Sequence, residues 1–173
     1  MNKILWIVAM AFMSLTTIKA QEQTRVHEQI YRSSFKVAAN KSEDTNVRKI
    51  ASFKVDAISY LKSKTLERIT DDTNTLKAEE IKSLNNRLDS MAYFMYDFVN
   101  LFTKEYTKAA TAKDQAWIMK IFRDASLNHP LYKDEDKDLV LSYVNNSGYL
   151  TQFSLDTNWV DALAEAKGKL RQK

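Results

Sequence analysis

The sequence predicts an all-α fold: a single bundle of about five or six helices around a long central helix, with one extended, non-paired strap. Two observations carry this reading. Apolar side chains recur at helical spacing through most of the 173 residues, and the only glycines are Gly148 and Gly168 with Pro130 the only proline. A β-rich fold recruits Gly, Pro and Asn-Gly or Asp-Gly pairs at its turns, and this chain is too poor in them. A chain of this length suits one domain, and no Gly/Ser-rich or Pro-rich linker divides it. With 45% hydrophobic and 11% aromatic residues there is material for a core, so disorder is not expected.

Residues 1–20 read as a cleavable signal peptide. Lys3 gives a sparse positive start, Ile4 to Leu15 are nearly all apolar, Ala20 puts a small residue at the cut, and Gln21 opens the mature chain. The apolar run falls short of the about 20 residues that cross a bilayer, so no stable membrane span is expected after cleavage. The expected location is periplasmic or secreted. The mature domain, residues 21–173, has no disulfide to draw on and must hold by packing alone, which its size permits. Removing Lys3 and Lys19 from the 26 basic residues leaves 24 against 22 acidic ones, a net charge of about +2. The two signs interleave without a basic stripe to follow a phosphate backbone, so no nucleic-acid partner is expected.

Helical periodicity then sets the elements in order. A first helix spans about Thr24 to Ala39, with Val26, Ile30, Tyr31, Phe35 and Val37 as its apolar residues. A second runs from about Thr45 to Ile69 through Val47, Ile50, Phe53, Ala57, Leu61, Leu66 and Ile69. The polar cluster Thr70 to Thr75 breaks it and offers N-cap oxygens to the third helix, whose first turn carries Glu79 and Glu80 against the positive helix end. That third helix, about Thr75 to Ala110, places Ile81, Leu84, Leu88, Met91, Met95, Phe98 and Phe102 at alternating spacings of three and four. Ala92, Phe94, Tyr96, Val99 and Leu101 widen the stripe, while Tyr93, Asp97, Asn100 and Lys104 fall opposite. An arc that broad needs neighbours on more than one flank, which makes this helix the centre of the bundle.

Thr111 followed by Asp114 has N-cap spacing and starts a fourth helix to about Leu127, packing through Trp117, Ile118, Ile121, Phe122 and Ala125. Asn128-His129-Pro130 ends it, because the residue before proline leaves the α region. A fifth helix is expected over about Asp134 to Asn146, burying Leu139, Val140, Tyr143 and Val144, with Gly148 or an Asn as a left-handed cap. From Gly148 to Asp156 the residues Tyr149, Thr151, Phe153 and Leu155 alternate as an extended segment does. No other alternating run exists to pair with it, so it reads as a strap with its larger side chains in the core. Asp156 is the expected cap of a last helix, about Thr157 to Leu170, packing through Trp159, Leu163, Ala166 and Leu170.

Chemical motifs are sparse. Asp134-Glu135-Asp136-Lys137-Asp138 copies the opening of a calcium loop, but Leu139 stands where its glycine belongs and Asn145 where its bidentate Glu belongs, so an acidic helix start explains the run. Two histidines in the mature chain, His27 and His129, and no cysteine give no recognisable metal set. Nucleophile-elbow and phosphate-loop patterns are missing, since both need glycines. No cofactor is expected. Asn145-Asn146-Ser147 fits a glycosylation sequon and Asp89-Ser90-Met91 resembles a short acceptor motif of exported bacterial proteins; both are three-residue matches. Aromatic residues between Tyr93 and Phe102 could line a cavity, although rings at this spacing are more often core.

The candidate interaction surface is the strap and its flanks: Asn145, Asn146, Tyr149, Thr151, Gln152, Asn158 and Trp159. Its polar side chains serve no regular element, and loops carry sites more often than core helices do; a purely structural strap remains the other reading. Four segments, Phe53 to Ala57, Tyr96 to Phe102, Asp138 to Tyr143 and Leu150 to Trp159, resemble a group of small exported proteins of Bacteroidota gut bacteria. The resemblance implies export and a shared fold, and brings no activity, ligand or catalytic residue with it.

These features favour an exported cell-envelope protein with a non-enzymatic binding or interaction domain, meeting a protein or small-molecule partner. Two alternatives stay open: a carrier of a small apolar ligand in an inter-helix cavity, and an enzyme with an unrecognised site. A closed core with an exposed apolar patch points to the first, a sizeable lined cavity to the second, and ionisable groups with perturbed pKa values converging in a cleft to the third.

Overall fold

The computed structural model describes residues 24–70 and 77–172. The leader expected over residues 1–20, and the polar cluster from 71 to 75, lie outside the described residues. Among these, the chain is all-α and contains six helices and no strand: α1 Val26–Ala39, α2 Thr45–Thr70, α3 Ala78–Lys108, α4 Ala112–Asn128, α5 Lys137–Val140 and α6 Trp159–Leu170. The 31-residue α3 touches α1, α2, α4 and α6, while α1 also packs on α2 and α4 on α6. It is the central helix its periodicity predicts. Leu88, Met91, Met95, Phe98 and Phe102 are buried along the stripe, with Ala92 and Val99 beside them. No described helix is long and apolar enough to cross a membrane.

Six rings from five elements form the heart of the core. Phe53 of α2, Phe98 and Phe102 of α3, Phe122 of α4, Phe153 of the strap and Trp159 of α6 are all fully buried. Phe153 sits among them, with ring centroids 5.6 Å from Phe53, 5.2 Å from Phe98 and 5.0 Å from Phe102. Its three contacts are edge-to-face, the arrangement that sets positive ring edges on negative faces. The strap is thus a core element. Thr151, Phe153, Ser154, Leu155, Asp156 and Thr157 are all buried, more than simple alternation provides.

Helix starts follow capping chemistry. Asp44 Oδ1 accepts from Asn46 N at 2.8 Å to open α2, and Thr111 Oγ1 accepts from Asp114 N at 3.1 Å to open α4. At α3 the N-cap position is Lys77, whose backbone N–H donates to the Glu80 carboxylate at 2.7 Å. The N-terminus of α1 is capped from a distance: Asp89 of α3 accepts from the His27 N–H at 3.0 Å and from the His27 ring at 2.6 Å, and pairs with Arg25 at 3.2 Å.

Five expectations are corrected. On α1 the buried residues are His27, Ile30 and Ser34, while Val26 and Phe35 are exposed, because the Asp89 anchor turns the His27 side inward. Val47, Leu66, Tyr96 and Leu139 are likewise exposed rather than core. The fifth helix is only α5, four residues long, followed by turns through residue 145. Asp156 does not cap α6, whose N-cap is Asn158; its carboxylate instead accepts from the N–H groups of Leu131 at 3.1 Å, Tyr132 at 2.7 Å and Asp134 at 3.0 Å. Gly148 is not left-handed, whereas Lys133, inside the loop held by Asp156, has φ 54°.

Candidate functional site

The strap leaves α5 at a bend where Asn146 Oδ1 accepts from the Gly148 N–H at 2.9 Å, and Lys49 of α2 donates to the Gly148 carbonyl at 2.7 Å. Residues 147–152 run along the start of α4 and the end of α3, and a groove of about 470 Å³ lies between them. Its polar lining is Asn46, Tyr106, Gln115, Ser147, Tyr149 and Gln152, and Ala112, Ala116, Met119 and Leu150 supply the apolar part. Tyr149 is fixed by a ring contact with Tyr143 at 4.5 Å between centroids, and Tyr106 by one with Phe102 at 5.3 Å. No charged side chain lines this groove, whereas each of the other grooves described carries at least one.

Of the strap residues singled out in the sequence, Tyr149 and Gln152 meet in the groove. Asn145 and Asn146 are exposed nearby in sequence. Thr151 and Trp159 are fully buried, so neither is available to a partner: Trp159 packs on Phe53 and Phe98 at 6.1 and 5.4 Å. Asn158 is half-buried at the α6 start, its N–H donating to the His129 carbonyl at 2.6 Å. Asn46, Tyr106, Gln115 and Met119 were not legible as site residues, since nothing in their local pattern distinguishes them from helix-surface positions.

A second groove, about 490 Å³, gathers ionisable groups between α2 and the 134–143 segment. Tyr60 Oη donates to Asp134 at 3.0 Å, Lys64 pairs with Asp134 at 2.9 Å and with Glu67 at 3.2 Å, and the Tyr143 hydroxyl donates to Asp56. Burial, with the Asp156 and Asp134 charges behind it, pushes the Tyr60 phenol up; burial and Asp56 do the same to Tyr143. The hydrogen bond from Lys64 holds Asp134 below the ordinary carboxylate range and raises Lys64 in turn. The two phenols donate to carboxylates of the same fold, a set of internal ties. Asp136, the other acid of the run, accepts from Leu139 N at 3.1 Å as the α5 cap.

At the far end of α4, His129 Nε2 lies 2.7 Å from Glu165 Oε2, and Lys169 lies 2.6 Å from the other oxygen. Burial raises Glu165, but the hydrogen bonds of Lys169, His129 and Asn128 together bring it below its usual value. The cluster fastens the Asn128-His129-Pro130 corner to α6. Among the described residues no group of three or more His, Cys, Asp or Glu side chains could hold a metal ion.

Fold and groove together define an all-α bundle with a filled aromatic core and an uncharged surface groove beside a buried strap. The chain matches no protein-family model, no curated protein and no solved structure.

Proposed function

We propose that this chain is an exported binding protein of the bacterial cell envelope, periplasmic or secreted, that carries out no reaction and meets its partner at the strap groove. The observation that carries this is a difference in commitment. In the α2 groove every titratable side chain lining the wall is engaged inside the protein. In the strap groove no hydrogen bond to another described residue engages the side chains of Asn46, Tyr106, Gln115, Ser147, Tyr149 or Gln152. Two rings fixed by neighbouring rings, Tyr106 and Tyr149, beside polar side chains not used internally are what a recognition site needs. The six-ring cluster occupies the space between helices that an apolar-ligand carrier would use, which favours binding at the surface. Export is supported by the leader pattern of residues 1–20 and the resemblance to exported Bacteroidota proteins.

The test is expression of the full chain with a C-terminal tag in a Bacteroidota host, followed by fractionation, intact mass and affinity capture. A product beginning at Gln21 in the envelope or medium is expected, carrying a stoichiometric partner that the double variant Gln115→Arg, Gln152→Arg no longer retains. A cytosolic product with Met1 intact overturns export. A partner retained equally by the double variant overturns the groove.

A further inference from the structure

Resting on the reading of the strap groove as a binding site, we infer that its ligand is a neutral oligosaccharide. The lining decides between ligand classes. A cationic ligand needs a carboxylate and an anionic one is held most strongly by a cation, and no charged side chain lines this groove. An aliphatic ligand would take six polar side chains out of water without replacing their hydrogen bonds, which opposes its binding.

A polyhydroxylated ligand fits each of these groups. A sugar hydroxyl both donates and accepts, and so does a side-chain amide, a phenol or a serine hydroxyl. Asn46, Gln115 and Gln152 come from three different elements, α2, α4 and the strap, so their amides reach a ligand from separate directions. Sugar rings also present faces of C–H groups, which suit the negative face of an aromatic ring. Tyr106 and Tyr149 supply two half-buried rings, each already held by a neighbouring ring, so little freedom is lost when a ligand packs on them. The volume of about 470 Å³ lies within the usual range of small-ligand sites.

The test is titration of the isotopically labelled mature protein with maltotriose, cellotriose, mannotriose and laminaritriose, and with anionic trigalacturonate as the charged counterpart, followed by amide chemical shifts. Saturable shifts centred on Gln115, Met119, Gly148 and Leu150 are expected with at least one neutral trisaccharide, and weaker or none with trigalacturonate. Gln115→Ala and Gln152→Ala each weaken binding by about 3- to 10-fold, the loss of one hydrogen bond. Tyr93→Ala, on an exposed position of α3, leaves it unchanged and controls for folding. No saturable shift with any of the four neutral sugars up to about 20 mM, or equal binding of trigalacturonate, overturns the inference. If the sugars fail while a captured partner is still lost from the Gln115→Arg, Gln152→Arg variant, the groove binds something else and the proposed function stands. If both fail, the groove is not a site.

Discussion

Asp156→Ala removes the acceptor on which the 131–134 loop is built. The carboxylate is only 3% exposed and takes N–H groups at 3.1, 2.7 and 3.0 Å. Hydrogen bonds to a charged group contribute about 1.5–3 kcal/mol each, so three set an upper bound of about 5–9 kcal/mol. The loop lies at the surface and its N–H groups regain water as it opens, so about half of that is expected as the measured loss, roughly 2.5–4.5 kcal/mol. For a domain of this size that corresponds to a fall in Tm of roughly 5–18 °C. Asp156→Asn keeps one oxygen for Leu131 and Tyr132 but turns an NH₂ toward the Asp134 N–H, and costs about 1–2 kcal/mol. Urea unfolding gives both numbers, and amide exchange at residues 131, 132 and 134 reports the loop directly. An alanine variant within about 0.5 kcal/mol of the parent, or unchanged exchange at those three amides, would refute the clamp.

Other perturbations test the remaining ties. Lys133→Gly relieves the left-handed backbone at φ 54° and raises stability by about 0.5–1 kcal/mol in urea unfolding. Burial lowers the Lys54 ammonium to about 8, so the unfolded chain holds this proton more tightly; stability therefore climbs as pH rises from about 8 toward 10.5. Lys54→Met abolishes that rise and stabilises the protein at neutral pH by about 1–2 kcal/mol, after the loss of the contacts with Asn100 and the Tyr96 ring is set against the relieved burial. At Asp89 burial raises the carboxyl, but the hydrogen bonds from His27 and Arg25 prevail and hold it below its usual value. Its contribution is thus present above the ordinary Asp range and lost as acid takes the pH through the lowered folded value, and Asp89→Asn removes about 1–2 kcal/mol and that acid sensitivity together, read by circular dichroism melts across pH. Phe153→Ala opens a hole between Phe53, Phe98 and Phe102 and costs about 3–5 kcal/mol by the same melts.

The parts legible in the sequence are those stabilised by apolar burial at a fixed period. The stripe of α3 is readable because four other helices cover it, so nearly every inward position had to be apolar. Thr111 and Asp114 are readable because an N-cap bond is local in sequence. Where a polar tie across the fold sets the geometry, periodicity misleads. The α1 helix presents apolar Val26 and Phe35 to solvent because Asp89, 62 residues away, fixes which side of His27 faces inward. Nothing between Arg25 and Ala39 encodes that choice.

The same physics makes the strap legible in the sequence and leaves its partners illegible. Alternation of Tyr149, Thr151, Phe153 and Leu155 announces an extended chain, yet the buried polar residues 154, 156 and 157 are satisfied by distant groups: Ser154 N–H donates to Ser126 Oγ at 2.7 Å, and Asp156 takes three N–H groups from the loop after α4. Those ties halt the fifth helix early, because once Asp156 fixes residues 131–134 and Leu155 N–H donates to the Val140 carbonyl at 3.1 Å, the chain after α5 must turn back along the core. The turn carries Tyr149 and Gln152 to the ends of α3 and α4 and so makes the groove with Tyr106 and Gln115. Groove and clamp are therefore coupled: a variant that releases Asp156 is expected to let the strap move away from Gln115, so the trisaccharide binding proposed for the groove is expected to fall together with exchange protection at residues 131–134.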